Sequence, residues 1–455
     1  MENFTSLYFI GAGGIGMSAL VRYFLAKGYH VAGYDRTPSD LTEALINEGA
    51  EIVYDESSAL IPEYCRNPKT TLVVYTPAVP ESHDGFSYFQ ENGFTIVKRA
   101  KLLGMITRTS KALCFAGTHG KTTTSSMAAH ILAQSPLECN AFLGGILKNY
   151  NSNLILSNTS EFTVIEADEY DRSFHQLSPY MAVITATDPD HLDIYGTEEA
   201  YLESFRYFTS LIQPGGALVI KKGIKVQPDV QKGVTIYQYS ADNGGDFHAQ
   251  NIRIGKGTII FDFVTPKEVI SDIELGVPVK INIENSVAAM AIAWLNGVDA
   301  VDIRKAMASF KGAKRRFDFW LKNANIVMID DYAHHPDELK ASITSVRALY
   351  PGKKISGIFQ PHLYTRTRDF YKEFAAALSL LDELILLDIY PAREQPIPGV
   401  TSKLIFDKVT CSNKELCHKD MLLEKIKQRN FEVLITLGAG DIDRMLPAIK
   451  EILSA

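Results

Sequence analysis

A glycine-rich segment that ends in lysine and threonine is the strongest chemical signal in the chain. Gly117-Thr118-His119-Gly120-Lys121-Thr122-Thr123 lies between an apolar run that predicts a strand and a pattern that predicts a helix. At such a junction, backbone amides can cradle nucleotide phosphates, Lys121 can neutralise them, and the Thr122 hydroxyl can bind Mg²⁺. A standard loop carries a glycine where Phe115 stands, so this loop is a shortened variant. The segment predicts ATP binding; the alternative is a glycine turn beside an exposed lysine.

Two acidic loops follow the next two predicted strands. The first is Glu166-Ala167-Asp168-Glu169-Tyr170-Asp171, and the second is Thr187-Asp188-Pro189-Asp190-His191-Leu192-Asp193. Because ligands bind at the carboxyl ends of parallel strands, we expect both loops beside the phosphate loop. Their carboxylates suit the metal of an ATP site, and a neutral His191 suits a second metal. Taken singly, each loop fits a solvated acidic turn equally well.

A second glycine cluster lies near the N-terminus. Gly11-Ala12-Gly13-Gly14-Ile15-Gly16 follows a predicted strand and opens a predicted helix, which favours a diphosphate at the helix N-terminus. Asp35 ends the next strand, where a ribose-binding acid of a dinucleotide site would lie. The pattern alone therefore leaves NAD as an alternative to another diphosphate ligand.

The elements around these segments predict an α/β protein of three domains. The chain has 455 residues, and about 150 residues per domain is usual. Short apolar strands alternate with longer helical patterns, and this alternation starts afresh three times. We place a Rossmann-like domain at residues 1–108, a central parallel-sheet ATPase domain at 109–313, and a C-terminal Rossmann-like domain at 314–455.

Composition argues against several classes of partner. The formal net charge is −7 with no basic block, which argues against nucleic acid and against an anionic membrane surface. Five cysteines without a C-x-x-C pair indicate reduced thiols, and no apolar stretch reaches the ~18 residues of a membrane span. We therefore expect a cytoplasmic location, with no nucleic-acid or membrane partner.

The motifs together resemble the Mur ligases, a three-domain family that builds the peptidoglycan stem peptide. The resemblance covers essentially the whole chain. Beyond the first glycine loop, it is carried by GTHGKTTT, EADEYD, DPDHLD, Lys314-Arg315-Arg316-Phe317, DDYAHHP (330–336), FQPHLYTRTR (359–368), PIPGVTS (396–402) and LGAGDI (437–442). No lysine occurs between His191 and Ile220, where sister ligases carry a carbamylated lysine. That absence and FQPHLYTRTR favour the alanine-adding branch.

The resemblance implies a set of residues for each ligand. The UDP-sugar would contact Gly11, Gly13, Gly14, Ile15, Gly16, Met17, Asp35 and Thr76. ATP would contact Gly117, Thr118, His119, Gly120, Lys121, Thr122, Thr123, Asn282, Asn285 and Arg316. Magnesium would be held by Thr122, Glu166 and His191, and the incoming amino acid by Tyr332, His334, His362 and Arg366. The residues implied in catalysis are Lys121, Glu166, His191 and His362.

Two positions depart from the family's pattern. Ile281 stands where a histidine usually precedes Asn282, which weakens the implied adenine contact. Leu363 stands where an arginine often follows the histidine, so the amino-acid carboxylate would rest mainly on Arg366.

The implied activity is ATP-dependent joining of L-alanine to UDP-N-acetylmuramate through an acyl phosphate, with Mg²⁺ as cofactor. Domain closure about a hinge near Gly312–Lys314 is expected, because an acyl phosphate hydrolyses in an open site. We expect a monomer or weak homodimer. Three alternatives stay open: a recycling ligase that attaches a preformed peptide, an NAD-dependent oxidoreductase, and a non-catalytic nucleotide-binding regulator.

Overall fold

The structure, a computed structural model, describes residues 4–76, 79–80, 82–189, 192–392 and 394–454. Their strands form three sheets of largely parallel pairing, which confirms the predicted α/β class. The chain divides into two compact units. The first comprises Met1–Gln250, Phe263–Ile270 and Glu284–Met307, and the second comprises Asn251–Asp262, Ser271–Ile283 and Ala308–Ala455.

The first sheet is parallel, with the strand order β3-β2-β1-β4-β5. Its order reverses direction at β1, and the crevice at the carboxyl end of such a strand is where ligands bind in open α/β sheets. Gly11 follows β1 directly, so the first glycine loop lies at this crevice. The elements of this region are β1 (Ser6–Ile10), α1 (Ile15–Ala26), β2 (His30–Tyr34), α2 (Asp40–Asn47), β3 (Glu51–Val53), β4 (Thr71–Tyr75), α3 (Asp84–Glu91), β5 (Thr95–Lys98) and α4 (Arg99–Thr107).

The second sheet has the strand order β15-β14-β13-β12-β11-β10-β6-β9-β7-β8. Its elements are β6 (Lys111–Ala116), α5 (Lys121–Ala133), β7 (Asn140–Leu147), β8 (Ser152–Ile155), β9 (Phe162–Glu166), β10 (Pro179–Ile184), α6 (Leu192–Tyr195), α7 (Glu198–Ser210), β11 (Ala217–Lys221), β12 (Thr235–Ser240), β13 (Phe247–Gly255), β14 (Thr258–Val264), β15 (Val269–Glu274), α8 (Ile281–Leu295) and α9 (Ala300–Ser309). Strand β6 lies between β9 and β10 in parallel register. Both acidic loops therefore begin beside the phosphate loop, as the sequence predicted.

One continuous apolar core joins the first sheet to the second within the first unit. Its members include Phe24 of α1, Phe142 of β7 and Phe208 of α7, all buried. A polar contact adds to it, because the Asn153 amide donates to the Ile15 carbonyl at 2.6 Å and accepts from Arg22 at 2.5 Å. The helix that begins at the first glycine loop is thus fixed directly to the sheet that carries the phosphate loop.

The third sheet, in the second unit, has the order β16-β17-β21-β18-β19-β20. Only the edge pair β16–β17 is antiparallel among its recorded pairings. The elements are β16 (Asp318–Lys322), β17 (Val327–Asp331), α10 (Pro336–Leu349), β18 (Ile355–Phe359), α11 (Tyr364–Leu378), β19 (Glu383–Leu387), α12 (Lys403–Phe406), β20 (Asn413–Cys417), α13 (Leu422–Lys427), β21 (Val433–Leu437) and α14 (Leu446–Ser454). Strands β18, β19 and β21 are fully buried, as expected of continuous apolar runs in a covered parallel sheet.

The sequence patterns located the central strands better than the edges. The short strand β3 and the hairpin β7–β8 carried no clear period, and β16 was also not expected.

Candidate active site

The phosphate loop is held in place by the strand next to it before any ligand binds. Thr185, just after β10, donates its hydroxyl to the carbonyls of Ala116 at 3.1 Å and His119 at 2.5 Å. The Thr118 hydroxyl donates to the Asp188 carbonyl at 2.7 Å, so the loop after β10 lies against the phosphate loop. The loop is therefore largely preorganised by its own neighbours.

Gly120 is the residue at which this loop needs glycine. Its φ of +83° lies in the left-handed region, and an added Cβ would lie 2.7 Å from the Asn285 side-chain oxygen. Asn285 in turn accepts from the Thr124 hydroxyl at 3.3 Å, so its amide packs against the first turn of α5. Asn282, the other residue implied in adenine binding, is buried and donates to the Val277 carbonyl at 3.1 Å. His119 is exposed, and Thr123 is half-buried on α5.

Lys121 has its ammonium group bound inside the loop. Its Nζ donates to the Gly117 carbonyl at 2.7 Å and to the Glu169 carboxylate at 2.8 Å, with a longer contact of 3.4 Å to the Thr118 carbonyl. Glu169 is buried, and burial raises its pKa although Lys121 acts in the opposite direction. Its second oxygen, Oε2, has no hydrogen-bond partner among the described residues. The predicted ATP lysine is thus paired with an acid that sequence reasoning did not single out.

Glu166 and Thr122 form an oxygen pair at the mouth of the loop. The Thr122 hydroxyl donates to Glu166 Oε1 at 3.0 Å, and the Gly144 amide donates to Oε2 at 3.1 Å. Burial raises the pKa of Glu166, against the effect of the Thr122 hydrogen bond and the Lys121 charge. A carboxylate and a hydroxyl in contact fit Mg²⁺, which binds few protein oxygens and completes its shell with phosphate and water.

His191, the third implied metal ligand, falls outside the described residues. Within the described part of the chain, no group of three or more histidine, cysteine or acidic side chains is arranged to hold a metal ion. Of the implied metal ligands, the described residues Glu166 and Thr122 are brought into contact with each other.

The first glycine loop is organised by Asp35. The Gly13 amide donates to Asp35 Oδ2 at 2.7 Å, and the Thr37 amide donates to Oδ1 at 3.3 Å. One side of the carboxylate thus supports the loop itself, in addition to any ribose contact that the sequence suggested. Thr76, at the end of β4, packs against Gly11, and Met17 is buried in the core beneath.

A cavity of about 300 Å³ connects the first glycine loop to the acidic loop after β9. Its lining includes Gly11, Gly14 and Gly16 of the glycine loop and Glu166 with Asp168 of the acidic segment. Thr76 and Arg99 also line it. The first glycine loop and the acidic segment after β9 therefore share one cavity in the first unit, and Glu166 of that segment is hydrogen-bonded to Thr122 of the phosphate loop.

The second unit brings together the four residues implied in amino-acid binding. The ring centroids of Tyr332 and His334 lie 5.1 Å apart, and those of His334 and His362 lie 6.3 Å apart. An Arg366 guanidinium nitrogen lies 3.4 Å from Nδ1 of His362. Since arginine can only donate, this nitrogen of His362 accepts, and its lone pair is already engaged. Tyr390, which was not predicted, stacks on His362 with centroids 5.9 Å apart.

Backbone strain and burial shape this cluster. Leu363 has a φ of +72° and donates its amide to the Tyr390 carbonyl at 3.0 Å, which fixes the turn between His362 and Arg366. Burial lowers the pKa of His334, whose Nδ1 lies 3.0 Å from the Tyr332 carbonyl. Because a carbonyl only accepts, Nδ1 carries the proton and Nε2 is the basic nitrogen of the neutral ring.

Two consecutive arginines border the same cluster. The guanidinium carbon of Arg316, implied in ATP binding, lies 5.6 Å from the Tyr332 ring centroid, and that of Arg315 lies 4.9 Å from it. Arg315 Nε lies 3.7 Å from the fully buried Asp330, whose pKa burial raises to about 7. Arg316 is therefore placed beside the tyrosine of the predicted amino-acid site.

The sequence signal for the missed residues was weak. Glu169 belongs to the same acidic segment as Glu166, but the order of residues in that segment does not say which acid faces Lys121, 48 positions away. Arg99 had a clearer signal, since the basic pair Lys98-Arg99 lies where β5 ends and α4 begins, at the carboxyl edge of a parallel sheet. None of the described helices is long and apolar enough to cross a membrane.

Three family models match successive parts of the chain. Residues 6–111 match "Mur ligase family, catalytic domain", residues 115–293 match "Mur ligase middle domain", and residues 315–440 match "Mur ligase, glutamate ligase domain". The matched segments correspond to the three sheets described above.

Curated relatives match over nearly the full length. A UDP-N-acetylmuramate–L-alanine ligase of Parabacteroides distasonis is 67% identical over 99% of this chain and 97% of its own length. The ligase of the same name from Porphyromonas gingivalis is 56% identical over 98% of both chains.

Solved structures show the same fold. The crystal structure of UDP-N-acetylmuramate–alanine ligase from Thermotoga maritima is 26% identical, covers 98% of both chains and has a TM-score of 0.81. A murein peptide ligase from Psychrobacter arcticus is 19% identical, covers 99% of this chain and 98% of its own, and has a TM-score of 0.65. At that identity the second likeness speaks to the fold alone.

Proposed function

Because the chain belongs to the Mur ligase family, we propose that it joins L-alanine to the carboxylate of UDP-N-acetylmuramate in peptidoglycan precursor synthesis, with ATP converted to ADP and phosphate. The observation that carries this proposal is the cavity between the first glycine loop and Glu166. A sugar nucleotide bound through its diphosphate at the glycine loop would direct its acyl end towards the phosphate loop. That arrangement suits activation of a carboxylate by ATP.

The chemistry requires an activated acid, since a carboxylate and an amine do not condense in water. The muramate carboxylate attacks the γ-phosphate of ATP, giving an acyl phosphate and ADP. The alanine amine then attacks the acyl carbon, and phosphate leaves. Lys121 neutralises charge on the transferring phosphoryl group, and the loop amides hold the nucleotide in line. Such positioning can supply about 7–11 kcal/mol of rate acceleration.

Mg²⁺ is part of the proposal through Thr122 and Glu166, with His191 as a further proposed ligand. When bound, the ion would lower the charge repulsion between the carboxylate and the phosphates. The Gly144 amide and the Thr122 hydroxyl orient the Glu166 carboxylate from two sides. Their hydrogen bonds favour the ionised form that a metal ligand requires.

The proposed amino-acid site is the cluster of Tyr332, His334, His362 and Arg366. Arg366 would bind the alanine carboxylate, as its guanidinium can form two parallel hydrogen bonds with it. For deprotonation of the amine we propose His191 or His362, the latter once Arg366 no longer donates to its Nδ1. In the described cluster, Nε2 of His334 is a further basic nitrogen, because Nδ1 faces the Tyr332 carbonyl.

The other two enzymes weighed from the sequence are not favoured. The hypothesis of an NAD-dependent oxidoreductase does not account for the contact between Thr122 and Glu166, which fits the Mg²⁺ of an ATP site. A recycling ligase for preformed peptides is disfavoured by curated relatives at 55–67% identity, which carry the name of the L-alanine ligase over nearly their whole length. We further propose a cytoplasmic enzyme that acts as a monomer or weak homodimer, without a nucleic-acid or membrane partner.

ADP release with UDP-N-acetylmuramate and ATP, one amine at a time, tests the function. We expect L-alanine to raise ADP release far above the control without an amine, and a murein tripeptide to give no such rise. Lys121→Met, checked for folding, is the control for ATP turnover by a contaminant. If L-alanine released no more ADP than the control without an amine, the proposal would fail.

A further inference from the structure

Arg99 is the one basic side chain among the described residues that line the cavity between the two loops. It is the first residue of α4 and directly follows β5. The other charged side chains of the lining are Glu166 and Asp168. The fixed charges of the lining therefore sum to a net negative value when both acids are ionised.

The guanidinium of Arg99 lies against the first turn of α1. A Cβ added to Gly16 would lie 2.7 Å from an Arg99 terminal nitrogen and 3.3 Å from its guanidinium carbon, so any larger residue would displace the arginine. Helix α1 has neither a side-chain cap nor an acidic residue in its first turn. An anion at this end of the cavity would meet both the helix N-terminus and Arg99.

The structure pairs the Arg99 guanidinium with Asp168, an acid of the same cavity lining. An Arg99 terminal nitrogen donates to Asp168 Oδ2 at 3.4 Å, and the two side chains are 25% and 40% exposed. Arginine–phosphate and arginine–carboxylate bonds are commonly 2.7–2.9 Å. The pair with Asp168 is thus a long, partly solvated contact that a better-placed anion can displace.

We propose that Arg99 binds an anionic group of the sugar nucleotide and that Asp168 holds the guanidinium only while the site is empty. This inference rests on the proposed function, because UDP-N-acetylmuramate supplies two such groups, the diphosphate and the muramate carboxylate. A negatively charged cavity would repel this substrate unless Arg99 turned from Asp168 to the ligand.

Calorimetric titration of the full chain with UDP and with UDP-N-acetylmuramate, without ATP or Mg²⁺, tests the inference. Arg99→Met should weaken binding by about 10-fold to 100-fold, the usual worth of a charge-assisted hydrogen bond. Asp168→Asn keeps the acceptor for the Tyr170 amide but removes the competing charge. It should tighten binding by about two-fold to five-fold. A purely structural Arg99–Asp168 contact would make both substitutions weaken binding.

The two ligands distinguish the two anionic groups. If Arg99→Met weakens UDP and UDP-N-acetylmuramate alike, the diphosphate is the group bound; if it weakens only UDP-N-acetylmuramate, the carboxylate is bound. Both results support the role of Arg99, and unchanged binding of both ligands overturns it. In the Arg99→Met background, Asp168→Asn should no longer tighten binding; undiminished tightening there would refute the part assigned to Asp168.

Two further variants keep the result interpretable. Arg99→Lys retains the charge without the planar fork and should weaken binding less than Arg99→Met, so it serves if the methionine variant does not fold. Lys98→Met is the matched control, because Lys98 pairs with Asp171 at 3.0 Å and is absent from the lining of this cavity. Failure of the wild-type protein to bind UDP-N-acetylmuramate would overturn the proposed function. Wild-type binding with unchanged affinity in Arg99→Met would overturn only this inference.

Discussion

The ion pair between Lys121 and Glu169 gives a prediction about how the empty phosphate loop is stabilised. The two side chains are only 15% and 2% exposed, and their nearest atoms are 2.8 Å apart. Replacing Lys121 by methionine leaves the Glu169 carboxylate buried without its cation, and its Oε2 already lacks a hydrogen-bond partner among the described residues. Removing one member of a buried pair costs about 3–5 kcal/mol. We expect a loss of that size in the free energy of unfolding of the first unit.

A second substitution separates stability from catalysis. Glu169→Gln in the Lys121→Met background removes the uncompensated charge while keeping the shape of the side chain. We expect the double variant to recover to within about 1 kcal/mol of the wild-type stability, because a neutral amide is far less costly to bury than a carboxylate. Neither variant should release ADP, since the phosphate-binding lysine is missing from both.

Equilibrium urea unfolding monitored by tryptophan fluorescence measures this effect. The chain has two tryptophans, so a Trp320→Phe background leaves Trp294 as the reporter of the first unit. Lys98→Met serves as the control, because its pair with Asp171 is 50% and 38% exposed and should contribute less than about 1 kcal/mol. The reasoning is refuted if Lys121→Met is as stable as the control, or if the double variant is no more stable than Lys121→Met alone.

Three further substitutions test other contacts. Burial raises the pKa of Asp330 to about 7, so the folded second unit favours the protonated acid, and its free energy of unfolding should fall by about 1.4 kcal/mol from pH 6 to pH 8. Asp330→Asn should remove this fall, as measured by urea unfolding followed through the one tryptophan of that unit. An unchanged pH dependence would contradict the assignment. Thr122→Val, which cannot orient Glu166, should raise the Mg²⁺ concentration needed for half-maximal ADP release by about 10-fold or more, and an unchanged requirement would argue against the metal role. Gly120→Ala should lower the free energy of unfolding by about 1–2 kcal/mol for its left-handed φ, and by more because the new Cβ would clash with Asn285. Gly28→Ala, with a φ of +81° and open space around its Cβ, should lose only the conformational part. Equal losses in thermal or urea unfolding would rule out the clash.

The sequence predicted those parts of the site that lie within one continuous segment or at the carboxyl ends of neighbouring parallel strands. The phosphate loop is a continuous segment, so Lys121 and Thr122 were identifiable from spacing alone. The acidic segment after β9 follows because the carboxyl ends of neighbouring parallel strands share one edge, and the family resemblance selected Glu166 within it. Its observed hydrogen bond to Thr122 agrees with that expectation. His191 follows from the same rule, and its role stays a prediction.

The parts that were missed depend on contacts between distant segments. Arg99 and Asp168 are 69 positions apart, and their pairing arises from packing of α4 near the loop after β9. Glu169 and Lys121 are 48 positions apart, and the chain turns sharply just after Glu169, at Asp171 and Arg172, which have φ values of +50° and +54°. No residue in that turn is glycine, so the usual sequence mark of a left-handed turn is missing. A pattern read along one segment cannot recover such contacts.

The same limit explains why the first glycine loop was ambiguous until its surroundings were known. A G-x-G-x-x-G segment specifies a close approach of backbone to a diphosphate, and it is silent on what the diphosphate carries. In the structure, the cavity that starts at this loop ends at Glu166, which is hydrogen-bonded to the threonine of the phosphate loop. A ligand that extended from the diphosphate along this cavity would meet an acid paired with a second phosphate site, where an acyl group would have a use and a nicotinamide would have none. The residues that indicate what the diphosphate carries are therefore more than 100 positions away from the glycine loop in the sequence.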